Sequence, residues 1–283
     1  MVFVSLFIGI SPAIAQSPPE ENRPTAQNAS GSGFGALRRT GTARVDRVID
    51  ALTVTMKDGK IVRLSGLDVP DAGTPEDELS LRAFEALKTL LPEGTEVALY
   101  QTRNAKAGRT NRMGQQLAHL TLDKDAIWVQ GALLSLGLAR AMPEGNDDAM
   151  AAQMLALENA ARGQGMGLWE GADGPHAVLA PDALDHKTGT VQIVEGTVLR
   201  AATVRNRLYL NFGPDWRTDF TVTIEPALRR ALAKAGIDPM ALSGKRIRVR
   251  GHIQSNNGPA ITLENIHHLE VIEAPLDRAP ANG

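Results

Sequence analysis

Apolar and polar positions first alternate regularly at Leu52, Val54 and Met56, separated by Thr53 and Thr55. A period of two is that of a half-buried strand. Lys57-Asp58-Gly59-Lys60 follows. Asp-Gly between two such runs predicts a hairpin, with residues 61–66 as the returning strand. The period then changes. Leu81, Phe84, Leu87 and Leu91 share one face of a helix, with Thr74 as the expected N-cap, Pro75 as the first helical residue and Pro92-Glu93-Gly94 as the stop. Strands are expected at residues 96–102 and 116–122. Two helices should finish the segment. One carries Val129, Ala132, Leu133 and Leu136, and the other Met150, Met154, Leu157 and Ala161, with Trp169 expected to plug the core.

Residues 171–188 are aperiodic and read as a linker. Strands return at 191–199, 207–212 and 220–224. Pro226 then opens a helix with Leu228, Ala231, Leu232 and Ala235 on one face. A closing hairpin is expected over 245–254 and 260–272, turning at Ser255-Asn256-Asn257-Gly258. Strands, a helix and further strands thus occur twice. The expected fold is mainly β with α (α+β). An OB-type five-stranded barrel with packed helices over 41–170 is followed by a second OB-like β-barrel domain over 189–272, with a tail at 273–283.

Composition adds three constraints. The chain has no cysteine, which excludes disulfides, thiol nucleophiles and thiolate metal sites. The net charge of -2 hides an asymmetry: residues 41–170 carry 14 Lys and Arg against 18 Asp and Glu, and residues 189–272 carry 11 against 7. The basic second half hints at a polyanionic partner. At the N-terminus, MVFVSLFIGISPAIAQ has an apolar run too short to span a membrane, ending in Ala13-Ile14-Ala15, an A-x-A cleavage pattern. Residues 1–15 are expected to be a signal peptide and 16–40 a disordered tether. The mature chain is expected to be periplasmic or secreted, without a membrane span.

Several blocks in order resemble one family. They are Asp50-Ala51-Leu52-Thr53, Lys57-Asp58-Gly59-Lys60, Gly66-Leu67-Asp68-Val69-Pro70-Asp71, Met113-Gly114-Gln115-Gln116-Leu117-Ala118, Gly137-Leu138-Ala139 and Gly167-Leu168-Trp169. From about 42 to 169 the chain resembles the thermonuclease (staphylococcal-nuclease-like) family. The resemblance implies an OB barrel and calcium-dependent phosphodiester hydrolysis. Such chemistry needs cationic donors for the charge growing on phosphate, oxygen ligands for a hard cation, and a carboxylate near the attacking water.

The resemblance also assigns positions. The metal aspartate of the family's D-G-D-T motif falls on Leu52, which cannot ligate a metal, while Asp50 matches a turn residue of that motif. Asp68 matches the second metal aspartate, and Val69 replaces a threonine ligand. The catalytic glutamate falls on Asp71, shorter by one methylene, roughly 1.5 Å of reach. Arg63 matches one phosphate-binding arginine, and the second falls on uncharged Gln115. Arg63 and Asp71 are therefore the catalytic candidates and Asp68 the metal candidate, all three as remnants. An Arg63–Asp68 or Arg63–Asp71 ion pair that staples the turn is the competing reading. No cofactor is expected; calcium would bind only if the nuclease site still works.

The other candidates concern binding. Residues 103–112 hold four cations and no acid, among them Arg109 and Arg112. This loop is either a solvated surface or a phosphate contact. Trp216 beside Arg217 could stack a base and grip a phosphate, or Trp216 and Phe220 could close the barrel end. Arg246, Arg248 and Arg250 share one strand face, as a phosphate-tracking stripe or as solvated edge charges. The second domain resembles OB-like nucleic-acid-binding modules. The expected role is binding nucleic acid (single-stranded foremost), another polyanion or a protein partner, with little or no hydrolysis. The alternatives are an active metal-dependent nuclease and an envelope protein-interaction scaffold.

Overall fold

The computed structural model describes residues 32–70, 77–103, 108–122, 127–144, 150–171 and 178–272. The expected signal peptide, most of the expected tether, Asp71, the expected Thr74-Pro75 helix start and the tail lie outside the described residues.

The N-terminal unit contains β1 (Arg38–Asp50), β2 (Thr53–Met56), β3 (Ile61–Leu64), β4 (Leu67–Asp68), β5 (Glu96–Gln101), β6 (Gln116–Leu122), β7 (Ile127–Trp128) and β8 (Arg140–Ala141). Its helices are α1 (Glu78–Leu90), α2 (Val129–Ser135) and α3 (Ala151–Gly163). Strand β1 pairs with β5 along its first half and with β2 along its second. Register shifts within both ladders let so long a strand coil from one partner to the other. The hairpin β2–β3 forms where Asp58-Gly59 predicted it, and β3 runs parallel to β6. These pairings close a five-strand barrel in the order β1–β2–β3–β6–β5. The fold is α+β, as the repeated strand and helix pattern implied.

Val45, Val54, Met56, Val62, Leu64, Val97 and Leu120 fill the barrel. Every residue of α2 is buried. Gln130 in α2 donates through Nε2 to the Ala118 carbonyl (2.9 Å) and accepts from the Leu120 amide (3.1 Å), so it satisfies β6 backbone groups inside the core. Helix α1 starts later than expected. Its cap is Asp77, whose carboxylate accepts from the Ser80 amide at 2.6 Å.

The end of the expected tether is ordered structure. Residues 38–40 belong to β1, and Ser32–Ala36 forms a 3-10 turn. Phe34 lies 4.6 Å from the Tyr100 ring and 5.9 Å from that of Trp128. Trp169 also differs from expectation. It is buried in a small cluster with Ala161, Leu168 and Ile193, so it packs between the two units instead of inside the barrel. The motif glycines have a steric reason here. A Cβ on Gly137 would stand 2.1 Å from the Met166 carbonyl oxygen, and one on Gly167 would stand 2.4 Å from that of Gly137. The two segments can meet this closely only without side chains.

The C-terminal unit holds β9 (Val191–Thr197), β10 (Arg200–Val204), β11 (Arg207–Asn211), β12 (Thr221–Ile224), α4 (Pro226–Lys234), β13 (Arg246–His252), β14 (Gln254–Ser255), β15 (Pro259–Leu263) and β16 (Leu269–Val271). One sheet has the order β10–β11–β12–β15–β14, with β12 and β15 parallel, and the other has the order β16–β13–β9. Strand β10 was missed from sequence because Arg200-Ala-Ala-Thr-Val204 shows no alternation; only the positive φ of Arg205 and Asn206 marks its turn into β11. Part of the expected linker packs here, since Leu184 is buried in this core and Leu179 bridges to Val194. No helix of the described residues is long and apolar enough to cross a membrane.

Candidate functional site

Strand β3 delivers Arg63 and then turns through Ser65-Gly66 into β4, which carries Asp68. Strand β4 pairs with β8 so that Asp68 faces Arg140 directly. The Arg140 guanidinium donates to one Asp68 carboxylate oxygen from Nε (2.8 Å) and Nη2 (2.5 Å). The same Nη2 donates to the Val191 carbonyl of the C-terminal unit at 3.0 Å. The Arg140 side chain is 4% exposed and that of Asp68 is 21% exposed. The staple expected between Arg63 and Asp68 therefore exists with a different cation. Arg140 immediately follows the Gly137-Leu138-Ala139 block, and nothing local to the sequence marks it as Asp68's partner.

Arg63 is half-buried, opposite Thr53 and beside Leu117. It exerts its charge on Glu144. That carboxyl is held above its ordinary range chiefly by desolvation, with Arg63 opposing the shift and Glu264 adding to it. Asp71 lies outside the described residues.

Leu52 is buried, and its amide donates to the Asp50 carboxylate at 2.8 Å, so Asp50 is a turn residue. Val69 is buried as well. Leu52 and Val69 offer no side-chain oxygen, and Asp68 is engaged by a cation. This donor set does not suit a calcium ion, which takes six to eight oxygens. Among the described residues no group of three or more His, Asp or Glu side chains converges on a metal position. Gln115 accepts through Oε1 from Asn111 Nδ2 at 2.7 Å, an internal loop contact.

The basic loop is partly committed to its own stem. Arg103 donates to the Gly35 and Ala36 carbonyls, and Arg109 donates to those of Thr102 and Arg103. Arg112 is exposed and has no protein partner among the described residues.

In the C-terminal unit the candidates separate. Trp216 is 52% exposed, whereas Phe220 is buried against Phe212 at 5.0 Å. Arg217 lies 4.8 Å from the Trp216 ring centroid. Arg246, Arg248 and Arg250 do share one face of β13; Arg248 and Arg250 are enclosed there, which removes them from the expected phosphate-tracking stripe, whereas Arg246 stays exposed. Arg246 and Arg248 pair with Glu195 at 2.8 and 2.5 Å. Arg250 is 1% exposed; it donates to both oxygens of Glu158, to Glu270 and to the Ala141 carbonyl. A guanidinium so enclosed cannot reach a phosphate. Sequence reasoning missed Glu158, although it interrupts the buried stripe of α3 between Met154 and Ala161.

No curated protein matches the chain. Residues 61–171 match the family model of staphylococcal nuclease homologues, from β3 to just past the buried Trp169. Three strands of the closed five-strand barrel, β3, β5 and β6, lie within this match, and residues 61–171 are a thermonuclease-like segment of this chain.

Proposed function

We propose that this protein is an exported pseudoenzyme of thermonuclease type, which binds nucleic acid or a related polyanion and hydrolyses phosphodiesters little or not at all. The observation that carries this reading is the Asp68 carboxylate engaged by Arg140, with Leu52 buried at the position matching the other metal aspartate. Transition-state stabilisation in phosphodiester cleavage rests on cations and a metal arranged around phosphate. Arg63 supplies one such cation, whereas Gln115 supplies none. The thermonuclease-like fold and the exposed Arg112 support retention of binding. Export to the periplasm is supported by the apolar run that ends in Ala13-Ile14-Ala15.

The test uses the full chain with calcium and labelled single-stranded DNA. Cleavage should not exceed that of an Arg63→Ala variant, and the strand should bind at low salt and dissociate as salt rises. Clear Arg63-dependent cleavage would establish the working nuclease instead. Absence of strand binding at low salt would leave the scaffold reading.

A further inference from the structure

The C-terminal sheet has a built groove on the side opposite its core. Leu208 and Leu210 of β11 point into the core, so Tyr209 and Asn211 lie on the other face. The strand registers extend that face in two rows. Arg200, Asn211, Thr221 and Ala260 form one, and Ala202, Tyr209 and Thr223 form the other. Together with Trp216, Asn256 and Asn257 they line a groove of about 480 Å³, within the usual size range of ligand sites.

The walls are fixed in place. The Trp216 loop is closed by hydrogen bonds from the Asp215 amide to the Asp219 carboxylate (2.6 Å) and from the Asp219 amide to the Asp215 carbonyl (2.9 Å). The opposing turn reaches positive φ at Asn257 and Gly258. A Cβ on Gly258 would stand 2.5 Å from the Thr218 carbonyl oxygen, so the two loops are packed against each other. The tryptophan wall is thereby held against the asparagine turn before any ligand arrives, which lowers the ordering cost of binding.

The lining has a definite chemistry. Two aromatic rings offer stacking surfaces. Asn211, Thr221, Thr223, Asn256 and Asn257 offer uncharged donors and acceptors. Thr221 Oγ1 is 3.2 Å from Asn211 Oδ1, which orients that amide. Ala202 and Ala260 leave room above the floor. Arg200 lines the groove, Arg217 lies on Trp216, and none of the lining residues is acidic. A neutral sugar makes no use of the cations, and a polyanion without rings makes no use of Trp216 and Tyr209. A ligand with a planar ring, polar ring edges and a negative backbone uses all three features.

We infer that this groove binds an unpaired nucleobase of a single strand, stacked against Trp216, with its edge read by the neutral side chains and its phosphates met by Arg200 and Arg217. Duplex bases are stacked inside and cannot enter. The inference rests on the nucleic-acid reading above and assigns that reading a location.

Trp216 reports on the groove, because Trp128 and Trp169 are buried. The full chain is titrated with a thymidine oligonucleotide, an abasic strand of equal length and a neutral oligosaccharide. Tryptophan fluorescence and strand anisotropy are read in parallel. The oligonucleotide should quench fluorescence, the abasic strand should bind about 10-fold weaker, and Trp216→Ala should weaken oligonucleotide binding by about 10-fold. Ala202→Phe, which keeps Trp216 but fills the floor, should abolish quenching. If the oligonucleotide binds equally well to Trp216→Ala, or no better than the abasic strand, the groove assignment falls while the nucleic-acid reading stands. Quenching by the oligosaccharide alone would make the groove a sugar site and overturn the inference. No anisotropy change at low salt would defeat both.

Discussion

Arg250 of β13 closes on Glu158 of α3 across 92 positions of chain, with Nη1 2.9 Å from one carboxylate oxygen and Nη2 3.0 Å from the other. Neither side chain reaches solvent, and Glu270 adds a second carboxylate at 2.6 Å. Desolvation pushes the guanidinium's pKa down, but the two carboxylates outweigh it and hold Arg250 above its ordinary value. A charge pair in such a place aligns the two units more than it stabilises them, because both ions have left water. Removing one partner leaves the other uncompensated. Glu158→Ala or Arg250→Ala should each cost about 3–5 kcal/mol in urea unfolding. The apolar double replacement, Glu158→Met with Arg250→Met, should cost far less than the sum. A loss under about 1 kcal/mol in both single variants would show that the pair carries no such load.

Asp68 makes a parallel case beside the candidate site. Asp68→Asn should lower stability by about 1–3 kcal/mol, since Arg140 loses its anion. It should leave strand binding unchanged. In a working calcium site an ion at 100 times its Kd would add about 2.7 kcal/mol of stability. Here millimolar calcium, compared with chelator, should leave the thermal midpoint where it is. A calcium-dependent rise that disappears in Asp68→Asn would restore the metal site.

Two buried imidazoles make stability depend on pH. His119 is held down at about 4 by desolvation alone. His268 is also held at about 4, chiefly by desolvation; its contact with the Pro143 carbonyl opposes the shift, and Arg250 and His267 add to it. In the unfolded chain both titrate near 6.5. Between those values the unfolded state binds more protons, so stability is complete above about pH 6.5 and falls as pH drops toward 4. The slope should approach about 1.4 kcal/mol per pH unit for each histidine. Urea midpoints from pH 7 to 5 measure it, and His119→Phe should remove about half. A flat profile over that range would contradict the burial of both rings.

Arg112 offers a test of the barrel loop. If a phosphate is met there, Arg112→Ala should weaken single-strand binding and reduce the slope of log affinity against log salt by about 0.7. Arg103→Ala should instead act on stability, because that side chain ties the loop stem to Gly35 and Ala36. An unchanged salt slope in Arg112→Ala would place the phosphate contacts elsewhere.

Local chemistry made much of the fold legible. Asp58-Gly59 specified the β2–β3 hairpin and Asn257-Gly258 the turn between β14 and β15; the period of Leu81, Phe84 and Leu87 located α1, although the face it buries is Ser80, Ala83 and Leu87 and Leu81 is exposed. Each signal is a short run whose meaning depends on its own neighbours. The first long strand was harder to read. The burial of β1 does not follow a simple alternation, because its bulges shift the register twice along the β2 ladder and once along the β5 ladder. Phe34 looked like part of a polar tether because its ring partners, Tyr100, His119 and Trp128, are remote in sequence.

The candidate site divides the same way. From the amino-acid order come the identities of Leu52 and Gln115, which the family resemblance sets at ligand and arginine positions, and the common face of Arg246, Arg248 and Arg250, because residue identity and strand period are local properties. Only the tertiary structure decided what those groups do. Asp68 meets Arg140 because β4 and β8 pair, and Arg250 is buried because β13 sets that side chain against Glu158 of α3. An arginine on a strand is the same residue whether it faces solvent or a carboxylate. The anion that claims it arrives from a distant part of the chain, and only packing determines which one.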